Sequence, residues 1–194
     1  LKECPKEDMR PGDIYICNDP YRGGTHLPDI TMVSPVFSNS KQGNLIGFVS
    51  SRAHQADIGG MAPGSMPVAR ELIQEGLILP PVHLYRGGKL VPETLAILLR
   101  NVRTPEDRQG DIAALVAAHH IGEQRLQSLV ERSGVILFKK SSKALLDYGE
   151  RLTAEALRSL PNGSYTFHDH LDNDGVIAGP VQLTLNLTID STSS

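Results

Sequence analysis

The chain has 194 residues, enough for one sizeable core or two small ones. With 40% hydrophobic and 21% charged residues, its composition is that of a globular protein rather than a disordered one. A net charge of −3, scattered basic residues, no Trp and 5% aromatics supply neither a basic stripe nor stacking rings, which argues against a nucleic-acid partner.

In chain order, residues 1–91 are rich in Gly and Pro, with short apolar runs between turn signals. Ile14–Cys17, Ile30–Val33 and Leu45–Val49 read as strands. Asp19-Pro20, Gly23-Gly24, Pro28, Asn39 and Gly43 lie in the links between them. Gly59-Gly60 and Pro63-Gly64 precede a short helix expected over Val68–Gln74 and ended by Gly76. The texture then changes. Pro92 to Arg100 opens a helical region spanning 92–163, and Thr104-Pro-Glu-Asp107 is a second helix start. The helix that follows places Ile112, Leu115, Val116, His119, Leu126, Leu129 and Val130 on one face. Gly134 interrupts, and a further helix is expected from Ser141 to Leu160, stopped by Pro161-Asn-Gly163. In 164–194, Tyr165 and Phe167 and the alternation Val181, Leu183, Leu185, Leu187, Ile189 indicate two half-buried strands. The fold class is therefore mixed α/β (α+β): a Gly-rich strand-and-loop N-terminal half, a helical middle and returning strands at the C-terminus.

No apolar run approaches the roughly 18 residues of a membrane helix, and the start carries no signal-peptide pattern. Cys4 and Cys17 are the only cysteines, so no disulfide framework is expected, and a reducing compartment, the cytoplasm, is the natural setting. The chain opens at Leu1 without an initiator Met and closes on Asp190-Ser-Thr-Ser-Ser194 after a strand-like run, which suggests part of a larger subunit.

Chemistry concentrates in the first half. His26 stands three residues before Asp29, and His54 three before Asp57; each string reads His-x-x-Asp-Ile beside a Gly pair. Pro28 disfavours helix through the first string, and a turn can still bring imidazole and carboxylate toward one point. Imidazole nitrogen with carboxylate oxygen suits a divalent zinc, manganese or iron ion, and the lack of thiolates argues against a Cys-based structural zinc. Two His and one or two Asp leave coordination positions open for a water or a carbonyl oxygen. The bland alternative is an Asp that orients a His in an ordinary loop. It outweighs the metal for either pair alone, and the two matched pairs bring the readings level.

Longer strings carry a resemblance. Gly12-Asp-Ile-Tyr-Ile-Cys-Asn-Asp-Pro-Tyr-Arg-Gly-Gly-Thr-His-Leu-Pro-Asp29, Ser51-Arg-Ala-His-Gln-Ala-Asp-Ile-Gly-Gly60, Pro63-Gly-Ser-Met-Pro67 and Gln74-Glu-Gly76 resemble signatures of the hydantoinase B/oxoprolinase family, related to acetone and acetophenone carboxylase subunits. Gly110-Asp-Ile112, Leu160-Pro-Asn-Gly-Ser-Tyr165 and Leu171-Asp-Asn-Asp-Gly175 fit the same pattern in order. The resemblance implies a subunit that opens hydantoins, 5-oxoproline or related lactams, or carboxylates ketones, in a hetero-oligomer with a hydantoinase A-type subunit or domain. That partner uses the ATP, which is not expected to bind here. It further implies a divalent metal held by His26, Asp29 and His54, with Asp57 as a fourth ligand or as a carboxylate orienting an imidazole. Family members are much longer, and a further Asp in an N-terminal stretch completes their metal shell. The isolated fragment is accordingly expected to be inactive. A segment that only docks a partner subunit is the non-catalytic alternative.

Other residues are read structurally. Asp19 is a turn residue and Glu75 a helix-end residue, while Arg22 and Arg52 either meet a phosphate or carboxylate or stay solvated. His119 falls on an apolar helix face and His120 beside it is exposed. His168 and His170 share one face of a strand. Asp172-Asn-Asp-Gly175 is a turn rather than a calcium loop, since its twelfth position is Leu183. Cys17 is a buried, inert thiol. The Gly pairs match no P-loop or dinucleotide fingerprint.

Overall fold

The computed structural model describes residues 4–39, 43–176 and 178–190. It divides into two compact units, Leu1–Ser133 and Gly134–Ser194. The changes of texture at 92 and 164 are changes of secondary structure; the compact units part elsewhere, after Ser133.

The first unit is built on five antiparallel strands: β1 (Ile14–Cys17), β2 (Asp29–Phe37), β3 (Leu45–His54), β4 (Val82–Arg86) and β5 (Lys89–Leu90). Their order across the sheet is β3-β2-β1-β4-β5. Strand β2 carries Pro35, which cannot donate to a ladder. It is tolerated because the pairing of β1 with β2 ends at Tyr15↔Val33, before Pro35 is reached. Strand alternation sorts the two faces. Ile14 and Ile16 of β1, Ile30, Met32 and Val36 of β2, and Leu84 of β4 are buried. All of these but Val36 pack with Leu27, Ile58, Leu79 and three helical residues, Leu98, Ile112 and Val116, in one core.

Helix α1 (Pro92–Arg100) has Pro at its start, where the missing N–H costs nothing. Helix α2 (Pro105–Ser133) lies across β2 and β3. Ile112, Val116, His119 and Val130 of its expected apolar face are buried, whereas Leu129 stays 43% exposed. His119 is the polar member of that interface. Its Nδ1 lies 2.6 Å from Ser34 Oγ and its Nε2 2.8 Å from Ser51 Oγ, so both ring nitrogens are satisfied. Burial, helped by neighbouring His120, lowers its pKa and favours the neutral ring. Gly122 sits where a Cβ would come within 2.9 Å of Val49 Cγ1, so its lack of a side chain allows α2 to approach β3 closely.

Four expectations need correction, the first being that the two C-terminal strands, expected half-buried, are exposed along almost their whole length. No helix spans Val68–Gln74; only Leu72–Gln74 forms a 3-10 turn, because Met66, Val68 and Ile73 are all exposed and give a helix no face to bury. Strands β4 and β5 add to the three expected in this half; Val82-His-Leu-Tyr-Arg86 mixes polar and apolar residues without clean alternation and so carries no strand signal of its own. The last helix, α3 (Val135–Arg158), begins directly after Gly134 rather than at Ser141. Gly134 at φ 77° is a one-residue break, and helix resumes at once.

The second unit holds α3 and a hairpin of β6 (Gly163–Leu171) with β7 (Val181–Ile189). Its pairing sets Tyr165 opposite Leu187 and Phe167 opposite Leu185, so these apolar side chains share one face, and all four are exposed. His168 and His170 lie on the other face, with His168 Nδ1 3.1 Å from Thr184 Oγ1. Asn173 and Asp174 each accept a backbone N–H two residues on, the geometry of a turn. Among the described residues, no helix is long and apolar enough to cross a membrane.

Candidate functional site

The site forms at one end of the β2–β3 ladder. Asp29 is the first residue of β2 and His54 the last of β3, and the register places them directly opposite each other. Thr31 faces Arg52 one side-chain step inward, on the same face of the sheet. That face is opposite the one covered by α2, which explains why Arg52 and His54 are exposed on β3 while Ser51 and Ala53 are partly covered. His26 arrives from the loop before β2. A turn closed by Asp29 N–H donating to the His26 carbonyl at 2.8 Å brings its ring beside His54, with centroids 5.3 Å apart.

The loop is held by named contacts. Asn18 is fully buried; its Nδ2 donates to the Leu27 and Leu77 carbonyls at 2.7 and 2.8 Å, and its Oδ1 accepts from Leu79 N–H at 2.7 Å. Asp19 accepts from Tyr21 N–H at 2.9 Å as the cap of a 3-10 turn, Pro20–Arg22. Gly24 packs so tightly on the Asn18 carbonyl that a Cβ there has no room.

His26, Asp29 and His54 each offer one ligand atom, and these atoms lie within 4.8 Å of one another. Asp29 Oδ1 accepts from His54 Nδ1 at 2.9 Å, and Asp29 Oδ2 accepts from Thr25 Oγ1 at 3.1 Å. Partial burial pushes the Asp29 carboxyl up, but the bonds from His54 and Thr25 outweigh it and hold the group below the ordinary carboxylate range. With Nδ1–H engaged by Asp29, the neutral His54 ring keeps a lone pair on Nε2, the form in which imidazole binds a cation. Two imidazoles and a carboxylate, with no thiolate and with His54 about half exposed, fit a divalent ion of the zinc, manganese or iron kind that retains open positions.

Asp57 does not join this group, contrary to its expected role as a ligand or as a carboxylate orienting an imidazole. It is buried, and its oxygens accept from Gly59 N–H at 3.1 Å, Gly64 N–H at 3.3 Å and Arg103 N–H at 2.9 Å, with Arg103 Nη1 at 2.8 Å. Burial raises its pKa, and the Arg103 and Gly59 bonds more than offset that, so it stays ionised as the tie between the 57–64 loop and the chain after α1. The reason is positional: His54 ends β3, and the chain turns away before Asp57. The equal His-x-x-Asp spacing of the two strings therefore does not give equal roles. Thr25 and Arg103, which organise these two carboxylates, carry no recognisable signal in the sequence, and Arg52 reads there as either an anion contact or a solvated cation. Glu75 caps the 3-10 turn Leu72–Gln74, as a helix-end residue should. Cys17 is partly buried rather than buried as expected, and that burial raises the pKa of its thiol, with Arg52 nearby opposing.

The family model for hydantoinase B/oxoprolinase matches residues 1–194. A putative D-/L-hydantoinase subunit, of the B type, from Pseudomonas sp. (strain NS671) is 33% identical over 193 residues, covering 97% of this chain and 32% of that protein. The crystal structure of ATP-dependent caprolactamase from Pseudomonas jessenii superposes with TM-score 0.88 at 32% identity, over 95% of this chain and 32% of the other. An acetone carboxylase in its nucleotide-free structure superposes with TM-score 0.73 at 26% identity, over 84% of this chain and 21% of the other. The chain thus spans between 27% and 32% of the length of three curated relatives it matches. A match running the whole length of the chain, together with the fold shared with the caprolactamase, means that it belongs to the hydantoinase B/oxoprolinase family.

Proposed function

We propose that this chain is the metal-bearing part of the hydantoinase B-type subunit of a cytoplasmic, ATP-dependent cyclic amide hydrolase that breaks a ring C–N bond. The substrate is a hydantoin, 5-oxoproline or a related lactam, and the partner is a hydantoinase A-type subunit or domain that uses the ATP. The observation that carries this reading is the convergence of His26, Asp29 and His54 within 4.8 Å on an open sheet face. Relatives named as a hydantoinase subunit, a caprolactamase subunit and a 5-oxoprolinase support the substrate class.

His26 and His54 would hold the ion through ring nitrogens and Asp29 through a carboxylate oxygen. Bound there, the ion supplies a water of lowered pKa and polarises a carbonyl oxygen. The protein's part is to fix the donors: Asp29 sets the ring orientation of His54, and Asn18 anchors the loop that delivers His26. An unstrained amide is a poor electrophile, so phosphorylation of its carbonyl oxygen by the partner would create the leaving group.

Metal analysis of the full-length subunit tests the proposal. We expect a stoichiometric ion that is lost in His26→Ala and His54→Ala; a folded wild-type subunit without an ion overturns it and leaves a partner-docking segment. The likeness to acetone carboxylase favours a second reading in which the same site serves ATP-dependent ketone carboxylation. Product analysis with the ATP-using partner separates the two: ring opening proceeds without bicarbonate, whereas carboxylation requires it.

A further inference from the structure

We propose that Arg52 and Thr25 are positioning residues: Arg52 clamps the Gly23–Thr25 loop to the sheet, and Thr25 hands that constraint to Asp29. The inference rests on the metal reading above and concerns residues outside its ligand set.

Arg52 sits on the exposed face of β3, where an arginine ordinarily extends into solvent. Instead each of its three nitrogens faces a protein oxygen. Nε donates to Thr31 Oγ1 at 2.9 Å, Nη2 to the Gly23 carbonyl at 2.9 Å, and Nη1 to Thr25 Oγ1 at 3.2 Å. These contacts engage every nitrogen of the group without a substrate phosphate or carboxylate.

The direction of the chain is forced by chemistry. A guanidinium only donates, so Thr25 Oγ1 accepts from Arg52 and turns its single proton toward Asp29 Oδ2, 3.1 Å away. The other carboxylate oxygen takes the His54 Nδ1 proton at 2.9 Å. The run Arg52–Thr25–Asp29–His54 therefore closes on itself, because Arg52 and His54 are two residues apart on one strand and project from one face. It joins the loop and β3 by side chains at the end of the ladder, where Asp29↔His54 is the terminal pair and one further backbone bond follows, Gln55 N–H donating to the Pro28 carbonyl at 2.8 Å. His26 follows Thr25 directly, so the same clamp bears on its ring. A planar fork with three fixed directions makes these bonds together; a lysine, a point charge on a flexible stem, does not.

The test is metal affinity in the full-length subunit with its ATP-using partner, measured by titrating zinc or manganese against a competing chelator. Thr25→Val and Arg52→Lys are each expected to weaken affinity by roughly 10- to 100-fold, the range found when groups that orient metal ligands are removed. Thr25→Ser, which restores the hydroxyl, should stay near wild type. The double variant should be no weaker than the worse single, because both act along one path. Wild-type affinity in Thr25→Val and Arg52→Lys overturns the proposal. So does an equal loss in Thr25→Ser, which would locate the effect in loop packing. A wild-type subunit that holds no ion overturns the metal reading itself, and that result differs from a wild-type ion that Thr25→Val leaves untouched.

Discussion

Asp29 and Asp57 follow a histidine at the same distance, yet one is partly open beside two imidazoles and the other is buried beneath an arginine. Their different surroundings make different experiments informative. Removing the Asp57 charge strands the backbone donors of Gly59, Gly64 and Arg103, so Asp57→Ala should cost about 1–3 kcal/mol of stability in urea unfolding while leaving metal content unchanged. The pH dependence has a definite sign. The folded Asp57 carboxyl lies below its ordinary 3.8, so the stability it contributes is present above that value and is lost as pH falls through the lower folded value. Asp57→Ala should therefore show a shallower acid limb below about pH 4, within the ordinary carboxylate range. At this scale the sequence displayed the ligand types but not their partners. Which carboxylate meets which imidazole depends on strand register, and register is a long-range property.

Among the elements, the α2–β3 interface combines a close contact with a titratable one. Gly122→Val would drive a branched side chain into Val49 and should destabilise the protein by about 1–3 kcal/mol, readable as a lowered urea midpoint. His119 adds a second handle. Its folded pKa is below the ordinary 6.5, so its contribution is complete above that value and falls away as acid protonates the unfolded chain first. Stability measured between about pH 7 and 5 should drop, and the drop should be smaller in His119→Leu, which carries no imidazole. β1 and α1 were legible to the residue because each is bounded by strong local signals: a tight Pro-Gly entry at Pro11-Gly12 and a Pro at the first helical position. β4 was not, because it is stabilised mainly by pairing with β1 from the far end of the unit's strand-and-loop half, a partner that no local window contains. The early start of α3 was masked by Val135 and Ile136, whose β-branched side chains favour a strand reading.

For the whole molecule, the second unit leaves its apolar groups in water. Leu145, Leu146 and Tyr148 of α3 are 71%, 74% and 52% exposed, and the Phe167–Leu185 pair of the hairpin is 64% and 61% exposed. Exposed apolar side chains of this kind bind hydrophobic dyes and promote self-association where they cluster. The 194-residue chain on its own should bind such a dye and sediment above monomer mass, and Phe167→Thr with Leu185→Thr should reduce both. The β2–β3 ladder has a further consequence for length variation in the family. Side chains alternate between faces at every residue, so one residue inserted between Asp29 and Val36 would turn Asp29 toward the helices and put a hydrophobic neighbour opposite His54. Two inserted residues would restore the facing but carry the carboxylate a full step, about 6–7 Å, beyond its imidazole. Natural insertions and deletions should accordingly be missing from this stretch and gather in the connections on either side of it.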